Sequence, residues 1–295
     1  MRARGGWLAA LLIAARPACP AAAAPPAAPL PVLAAPGAHD RLLIVAPHPD
    51  DETLCCAGLI AQALRAHAAV AIVWLTAGDG FELDALLVEH ALWPSGARMR
   101  QLGRERLEEA HRAADRLGVA RAAQYALGYP DRGLEPLLGS AGIYRSPYTE
   151  RSAVFYAGTL HPGAAYTRAN LERDLQAVLE AQRPTLVFSA APEDRHPDHS
   201  ASGTLLQRLL AQRAADARLY FWIVHAPHWP RPLGLHPQLA LGPPASAADR
   251  RWLVLPLSPQ DRTLKLEALR AHRSQLSYMA PFLEAFVRAD ELFAR

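Results

Sequence analysis

The chain has 295 residues, of which 51% are hydrophobic and 20% are charged. A chain of this length and composition can bury a sizeable core and fits one large domain or two small ones. Its 31 basic and 28 acidic residues nearly balance. The arginines are interleaved with acidic residues and form no basic block, which argues against a nucleic-acid partner.

The first 24 residues have the pattern of an export signal. Arg2 and Arg4 precede the apolar run WLAALLIAA, and the alanines at 21–24 offer small residues for cleavage. The run is short for a bilayer span, so we expect a cleaved signal and no membrane span afterwards. The alternative is a disordered Ala/Pro tail. The prediction is an exported protein, periplasmic or secreted.

Residues 25–40 are rich in alanine and proline, which predicts an extended linker before a single domain over 41–295. Within that domain, Cys55 and Cys56 are neighbours at the start of a predicted helix. A bridge between adjacent cysteines is strained, so we expect both to be small core residues and not a disulfide.

Strand-like and helix-like segments alternate along the domain. Apolar, β-rich runs occupy 41–46, 69–76, 185–190 and 218–224, and helical patterns occupy 53–67, 98–117, 168–182 and 199–213. Near-continuous apolar strands alternating with helices predict an α/β fold with a Rossmann-like, mostly parallel sheet and helices on both faces. Ligands of such sheets bind at the carboxyl ends of the strands.

Two polar clusters lie at such strand ends. PHPDDE follows the first strand, and EDRHPDH follows the strand at 185–190. His48 and Asp51, three residues apart, can turn toward one point, and a histidine of the second cluster can complete a two-histidine, one-carboxylate zinc site. Asp50 is then the candidate to take a proton from an attacking water.

The second cluster offers two histidines, His196 and His199. One can bind the metal while the other faces a developing oxyanion, and Asp198 can orient a histidine. Either cluster alone could instead be a turn in which an aspartate caps the following helix. Two such clusters, each after a strand and each pairing histidine with carboxylate, favour a metal site.

The paired motifs resemble those of the PIG-L / LmbE-type zinc-dependent deacetylases, which remove acetyl groups from N-acetylglucosamine-bearing molecules. The resemblance extends to LTAGDG (75–80), RLEEAHRAADRLGV (106–119), LGYPDRGL (127–134) and KLEALRAHRSQL (265–276). It covers residues 40 to about 276. It implies a Rossmann-like sheet, in agreement with the alternation of segments.

The resemblance also assigns roles by position. It implies that Zn²⁺ is held by His48, Asp51 and His199, and that Asp50 is the general base. His196 would protonate the leaving amine or stabilise the tetrahedral oxyanion, with Asp198 tuning it.

Substrate contacts are implied at Arg106 and Asp131, which match positions that contact the sugar. The alternatives are an exposed salt bridge for Arg106 and a turn residue for Asp131. On the predicted rim at 224–237, His225 and Trp229 are further candidates, and His225 is also a possible fourth metal ligand. The segment 140–171, rich in Tyr, Ser and Gly, could be a lid over a sugar or a surface excursion. Glu52 suits the first turn of a helix, where negative charge is favoured.

The predicted function is zinc-dependent removal of the N-acetyl group from a glycan, glycolipid or glycoconjugate that contains N-acetylglucosamine. Two alternatives remain at this point. One is a metal-dependent amidase acting on a sugar conjugate or a non-sugar amide, and the other is a catalytically silent glycan-binding module.

Overall fold

The computed structural model describes residues 29–80, 96–213 and 217–295. The predicted signal peptide, residues 1–24, lies outside this part of the chain. Among the helices of the described residues, none combines the length and the apolarity that a membrane crossing requires.

Strands and helices alternate through most of the domain, as predicted. The strands are β1 Arg41–Ala46, β2 Ala69–Thr76, β3 Gln124–Tyr129, β4 Leu186–Ala190, β5 Arg218–Trp222, β6 Trp252–Pro256 and β7 Asp290–Ala294. The helices are α1 Asp51–Arg65, α2 Gly96–Leu117, α3 Leu134–Gly139, α4 Arg168–Gln182, α5 Pro197–Ala211, α6 Pro259–Leu269 and α7 Arg273–Glu284. Short 3₁₀ turns lie at Arg121–Ala123 and Ala245–Ala247.

The strands form one seven-stranded sheet in the order β3-β2-β1-β4-β5-β7-β6. The pairs from β3 through β5 are parallel, and β7 runs antiparallel to both of its neighbours. This confirms the predicted α/β, mostly parallel sheet. Strand order reverses between β1 and β4, which are direct neighbours. The crevice at such a reversal is where open parallel sheets bind ligands.

Helices cover both faces of the sheet. One apolar core lies between the sheet and α1, α2, α6 and α7, and a second lies between the sheet and α3, α4 and α5. The strands are buried on both sides, which explains their near-continuous apolar sequences.

The predicted linker differs from the structure in its second half. The backbone of Leu33 donates to Val254 of β6, and Val254 donates back to Pro31. The Leu33 side chain is buried. Residues 31–33 therefore extend the sheet edge beside β6 and belong to the domain. Pro31 is tolerated there because a proline at a sheet edge loses no ladder hydrogen bond on the open side.

The cysteine prediction was half right. Cys55 and Cys56 are both buried in α1, as expected, but the structure joins them in a disulfide, so the prediction of two free side chains was wrong. Both residues belong to the same apolar core, and their Cα atoms are 3.7 Å apart.

A buried ion pair fixes α1 against the C-terminal part of the fold. Lys265 Nζ lies 2.8 Å from Glu291 Oε1 and also donates to the carbonyl of Leu54 at 2.7 Å. The Glu291 carboxylate accepts from the backbone amides of Gly58 and Leu59 at 2.8 and 2.9 Å. Because α1 begins with the PHPDDE motif, this pair also positions the motif.

Replacing Glu291 with alanine is expected to lower the free energy of unfolding by about 3–5 kcal/mol, because the Lys265 charge is left buried without its partner. Urea denaturation followed by circular dichroism measures the change. The matched control Glu267→Ala removes an exposed carboxylate from the same region and is expected to change stability by less than about 0.5 kcal/mol. Equal, small changes in both variants would contradict this role for the pair.

Candidate metal and catalytic site

The loops after β1, β3, β4 and β5 meet at the carboxyl edge of the sheet. They bring His48, Asp50, Asp51, Asp131, His196 and His225 around one cavity of about 260 Å³, while His199 is buried behind its lining. The adjacency of β1 and β4 places the two predicted motifs side by side, as the sequence pattern required.

Three donor atoms form a small triangle. His48 Nδ1 lies 3.1 Å from His199 Nε2 and 3.4 Å from Asp51 Oδ2, and the last two atoms are 3.2 Å apart. Zinc ligands at 2.0–2.1 Å in tetrahedral geometry are separated from one another by about 3.3 Å. The triangle therefore has the dimensions of one face of a tetrahedral zinc site.

Each of the two imidazoles has a carboxylate on its other side. His48 Nε2 lies 3.1 Å from Asp131 Oδ1 and 3.3 Å from Asp198 Oδ2. His199 Nδ1 lies 3.2 Å from Asp194 Oδ2. Carboxylates in this position select the tautomer that leaves the opposite nitrogen free to bind a metal. A carboxylate on the far side of the imidazole is typical of histidines that bind a metal.

The charge of the cluster also fits a cation. Five carboxylates are buried together, those of Asp50, Asp51, Asp131, Asp194 and Asp198. Within the described residues, His199 Nδ1 and Asp131 Oδ1 have no partner in hydrogen-bond geometry. Buried anions of this density require compensation by protons or a bound cation. A divalent metal at the triangle would supply it.

Asp50 lies beside the triangle and not in it. Its Oδ2 is 3.3 Å from Arg106 Nη2. Burial raises the pKa of the Asp50 carboxyl to about 6, and the Arg106 guanidinium limits the rise. A carboxylate with a pKa near neutrality, next to the metal-binding triangle, is suited to accept a proton from water.

Glu52 holds the backbone of Asp50 in place. Its fully buried carboxylate accepts from the amide of Asp50 at 3.1 Å, from Trp74 Nε1 at 2.8 Å and from Thr53 Oγ1 at 2.8 Å. Its Oε1 also lies 3.4 Å from His272 Nε2. Glu52 does lie in the first turn of α1, as expected, but its main contacts are with the motif and the core.

The matching sequence profile describes a family as "PIG-L: GlcNAc-PI de-N-acetylase" and covers residues 43–210. The chain belongs to the PIG-L family. A probable N-acetyl-alpha-D-glucosaminyl L-malate deacetylase 2 of Bacillus anthracis is 28% identical over 238 residues, 80% of this chain and 82% of that protein. A 1D-myo-inositol 2-acetamido-2-deoxy-alpha-D-glucopyranoside deacetylase of Mycobacteroides abscessus is 27% identical over 260 residues, again 80% and 82%.

Solved structures agree on the fold. N,N'-diacetylchitobiose deacetylase from Pyrococcus horikoshii superposes with a TM-score of 0.53 at 19% identity, over 86% of this chain and 82% of that one. Together with the family assignment, the relatives make this PIG-L protein an enzyme, a hydrolase of carbon-nitrogen bonds of the deacetylase type.

His196 lies at the edge of the PIG-L site. It precedes α5 as its N-cap, and its Nδ1 accepts from the amide of Asp198 at 3.2 Å. Burial, with the charges of His48 and His199, lowers the pKa of His196 to about 2, which keeps its imidazole neutral.

Asp198 does contact a histidine, as predicted, but its carboxylate faces His48 and not His196. The Asp198 carboxylate turns away toward His48 and accepts from the amides of Arg132 and Leu134 at 2.6 and 3.0 Å. The reason is that Asp198 lies in the first turn of α5, where its side chain faces the loop after β3 and not its own sequence neighbour.

Arg106 and Asp131 are both buried and line the cavity. Arg106 is therefore not part of an exposed salt bridge, and Asp131 does more than form a turn. Arg106 is buried and also donates to the carbonyl of Gly78 at 2.9 Å. Gly78 has φ +66°, and a Cβ there would lie 2.4 Å from the Arg106 guanidinium. Glycine is therefore required beside this arginine. Arg106 contacts Asp50 and Asp131 contacts His48, in addition to facing the cavity.

The two candidates on the predicted rim, His225 and Trp229, differ in their position relative to the cavity. His225 lines the cavity, and its ring centroid lies 4.8 Å from that of His199. Trp229 does not line it. Its ring packs against Phe286, and its Nε1 donates to the carbonyl of Gly242. Trp229 thus does not face the cavity as expected, because its ring packs on Phe286, just beyond the end of α7.

The segment 140–171 does not form a lid. It contributes no residue to the cavity, and its Val154, Tyr156 and Tyr166 are buried in the core. Tyr156 donates to Asp79 Oδ2 at 2.6 Å. Two of the tyrosines that the sequence offered for stacking on a sugar, Tyr156 and Tyr166, thus fill the core.

Asp194 carries a role that the sequence did not reveal. Besides facing His199, it accepts from the amides of Val224 and His225 at 2.8 and 3.0 Å and from the amide of His196 at 2.9 Å. It therefore joins the loops after β4 and β5 behind a metal-binding imidazole. Its place in EDRHPDH can be read from the sequence, but its partners in the loop after β5 cannot.

Asp194→Asn is expected to weaken metal binding by roughly 10- to 100-fold, because His199 loses the carboxylate behind it. Competition with a chromophoric zinc chelator measures the affinity. The matched control is Glu193→Gln, since Glu193 is an exposed neighbour that pairs with Arg250 and should leave the affinity unchanged. Equal affinities in wild type and Asp194→Asn would refute the positioning role.

Proposed function

We propose that this PIG-L protein is a zinc-dependent hydrolase that removes the N-acetyl group from an N-acetylglucosamine-containing glycan, glycolipid or glycoconjugate. The observation that carries the proposal is the triangle of His48, Asp51 and His199 with Asp50 beside it. The three donors have zinc spacing, and the fourth side chain is a carboxylate with a raised pKa that stays outside the triangle.

A zinc ion held by His48, Asp51 and His199 would polarise the acetamide carbonyl and acidify a water. Asp50 takes the proton from that water as it attacks, which is the role suited to a carboxylate of pKa about 6. Arg106, 3.3 Å from Asp50, orients the carboxylate and limits the rise of its pKa. The bond that breaks joins the carbonyl carbon to the amine nitrogen of the sugar.

His196 acts on the oxygen that gains charge. Its neutral imidazole can donate one N–H to the tetrahedral oxyanion, and it lines the cavity on the side of His48. The leaving amine takes the proton that Asp50 received. Acetate and a free amino sugar are the products.

The proposed substrate class rests on two observations, the names of the relatives and the export-signal pattern of residues 1–24. The two relatives are named for amino-sugar conjugates of malate and of inositol. The charge, apolar and small-residue order of residues 1–24 supports export of this chain. An exported deacetylase meets envelope or extracellular amino sugars, so we propose a periplasmic or secreted enzyme acting on those.

Asp50→Asn is expected to lower kcat for acetate release by about 10²- to 10⁴-fold, because the proton acceptor is lost. Metal content should stay at the wild-type level, since Asp50 is outside the triangle. Acetate release from N-acetylglucosamine glycosides and metal content are measured on the same sample, with and without a chelator. The exposed-site control Asp249→Asn should match wild type.

His48→Ala should lose both metal and activity, which separates the metal ligand from the base. Full turnover by a metal-loaded Asp50→Asn variant would exclude the mechanism. Retention of metal by His48→Ala would exclude the site, and acetate release from only non-sugar amides would exclude the substrate class.

A further inference from the structure

The lining of the catalytic cavity divides into two chemical groups. One is the polar cluster described above. The other is an apolar wall made of Leu54, Val224, Met279, Phe282 and Leu283. Leu54, Val224 and Leu283 are buried, whereas Met279 and Phe282 are half-buried and so present surface to the cavity.

A break in helix α7 turns the wall toward the site. Met279 has non-helical backbone angles, and Pro281 follows inside the helix. Proline removes a helical hydrogen bond and kinks the chain. The carbonyl of Pro281 accepts a hydrogen bond from the amide of Gly234 at 2.6 Å. This bond ties the 224–237 segment to the break in the helix.

Phe282 adjoins the polar cluster directly. Its ring is stacked on that of His225, with centroids 6.0 Å apart and planes 17° apart. On its other side it packs edge-on against Phe286 at 5.4 Å. Since His225 contacts His199, the apolar wall begins one side chain away from the metal-binding triangle.

Two exposed leucines lie on the segment that is bonded to the break in α7. Leu233 and Leu235 are 41% and 39% exposed, and they flank Gly234, the residue bonded to Pro281. Arg288 Nη2 donates to the carbonyl of Pro232 at 2.5 Å and holds the same segment. Single exposed leucines are ordinary, but this pair lies on a segment anchored to the wall.

We infer that the apolar wall binds an alkyl or aryl aglycone carried by the amino-sugar substrate, an inference that rests on the proposed deacetylation. The hydroxyls of a sugar need donors and acceptors, which these five side chains do not offer. The acetyl group ends in one methyl and does not need a wall of this extent. Leu233 and Leu235 lie on the segment bonded to α7 beside this wall, which suits a group that extends from the sugar toward the surface.

Glycosides of N-acetylglucosamine with methyl, butyl and octyl aglycones test this inference at concentrations below micelle formation. We expect kcat/KM to rise roughly tenfold or more from methyl to octyl, mainly through KM, because apolar area is buried in proportion to chain length. A parallel series varies the N-acyl chain on the methyl glycoside. Preference that follows the acyl chain and not the aglycone would overturn the inference.

Two variants locate the effect. Phe282→Ala should reduce the octyl-to-methyl ratio of kcat/KM by about tenfold, since an aromatic ring is removed from the wall. Leu233→Ser changes an exposed side chain, so folding is preserved, and should reduce the ratio for octyl more than for butyl. The control Ile143→Ser alters an apolar residue that is 64% exposed and outside the wall, and should keep the wild-type ratio.

The outcomes distinguish this inference from the proposed function. Acetate release that does not depend on aglycone length, or an unchanged ratio in both Phe282→Ala and Leu233→Ser, would overturn the apolar wall alone. Failure to release acetate from every glycoside, the methyl compound included, would overturn the proposed function and the inference that rests on it.

Discussion

The site depends on one crowded contact, in which the His48 imidazole lies between carboxylates on both sides. Its Nδ1 faces Asp51 and His199, and its Nε2 faces Asp131 and Asp198. Anionic groups packed this closely in a dry cavity repel one another. A cation bound at the triangle would reduce that repulsion, because its positive charge lies close to the carboxylates. The same carboxylates would then hold the two imidazoles in the orientation that binds the metal.

The fold makes this contact possible through neighbouring strands. β1 and β4 pair directly, so the loops that follow them share one crevice. The start of α1 is then fixed from behind by two buried carboxylates, Glu52 under the Asp50 amide and Glu291 under the middle of the helix. The tertiary structure thus uses polar contacts to hold the position of a loop, while the apolar cores hold the sheet.

Local pattern predicts the fold class, the strand bounds at 41–46 and 69–76, and the meeting of the two polar motifs, because a motif after a buried strand must lie at the sheet edge. It does not predict which side chain each residue contacts. The Asp198 carboxylate meets His48 and not its neighbour His196, and Trp229 packs on Phe286 beyond the end of α7. These pairings join segments far apart in the chain. The apolar wall on α7 could not be predicted from the sequence for the same reason. The break at Met279 forms part of a cavity wall only because of where α7 packs in the fold.

The central claim is that one metal is held by two imidazoles and one carboxylate, with a third imidazole close by. Donor atoms of His48, His196 and His199 also lie within 4.8 Å of one another, so a three-histidine site is the geometric rival. X-ray absorption spectroscopy of the zinc-loaded protein distinguishes them directly. The account predicts two imidazole ligands in wild type and an unchanged spectrum in His196→Ala. Three imidazoles in wild type, with one lost in that variant, would contradict it.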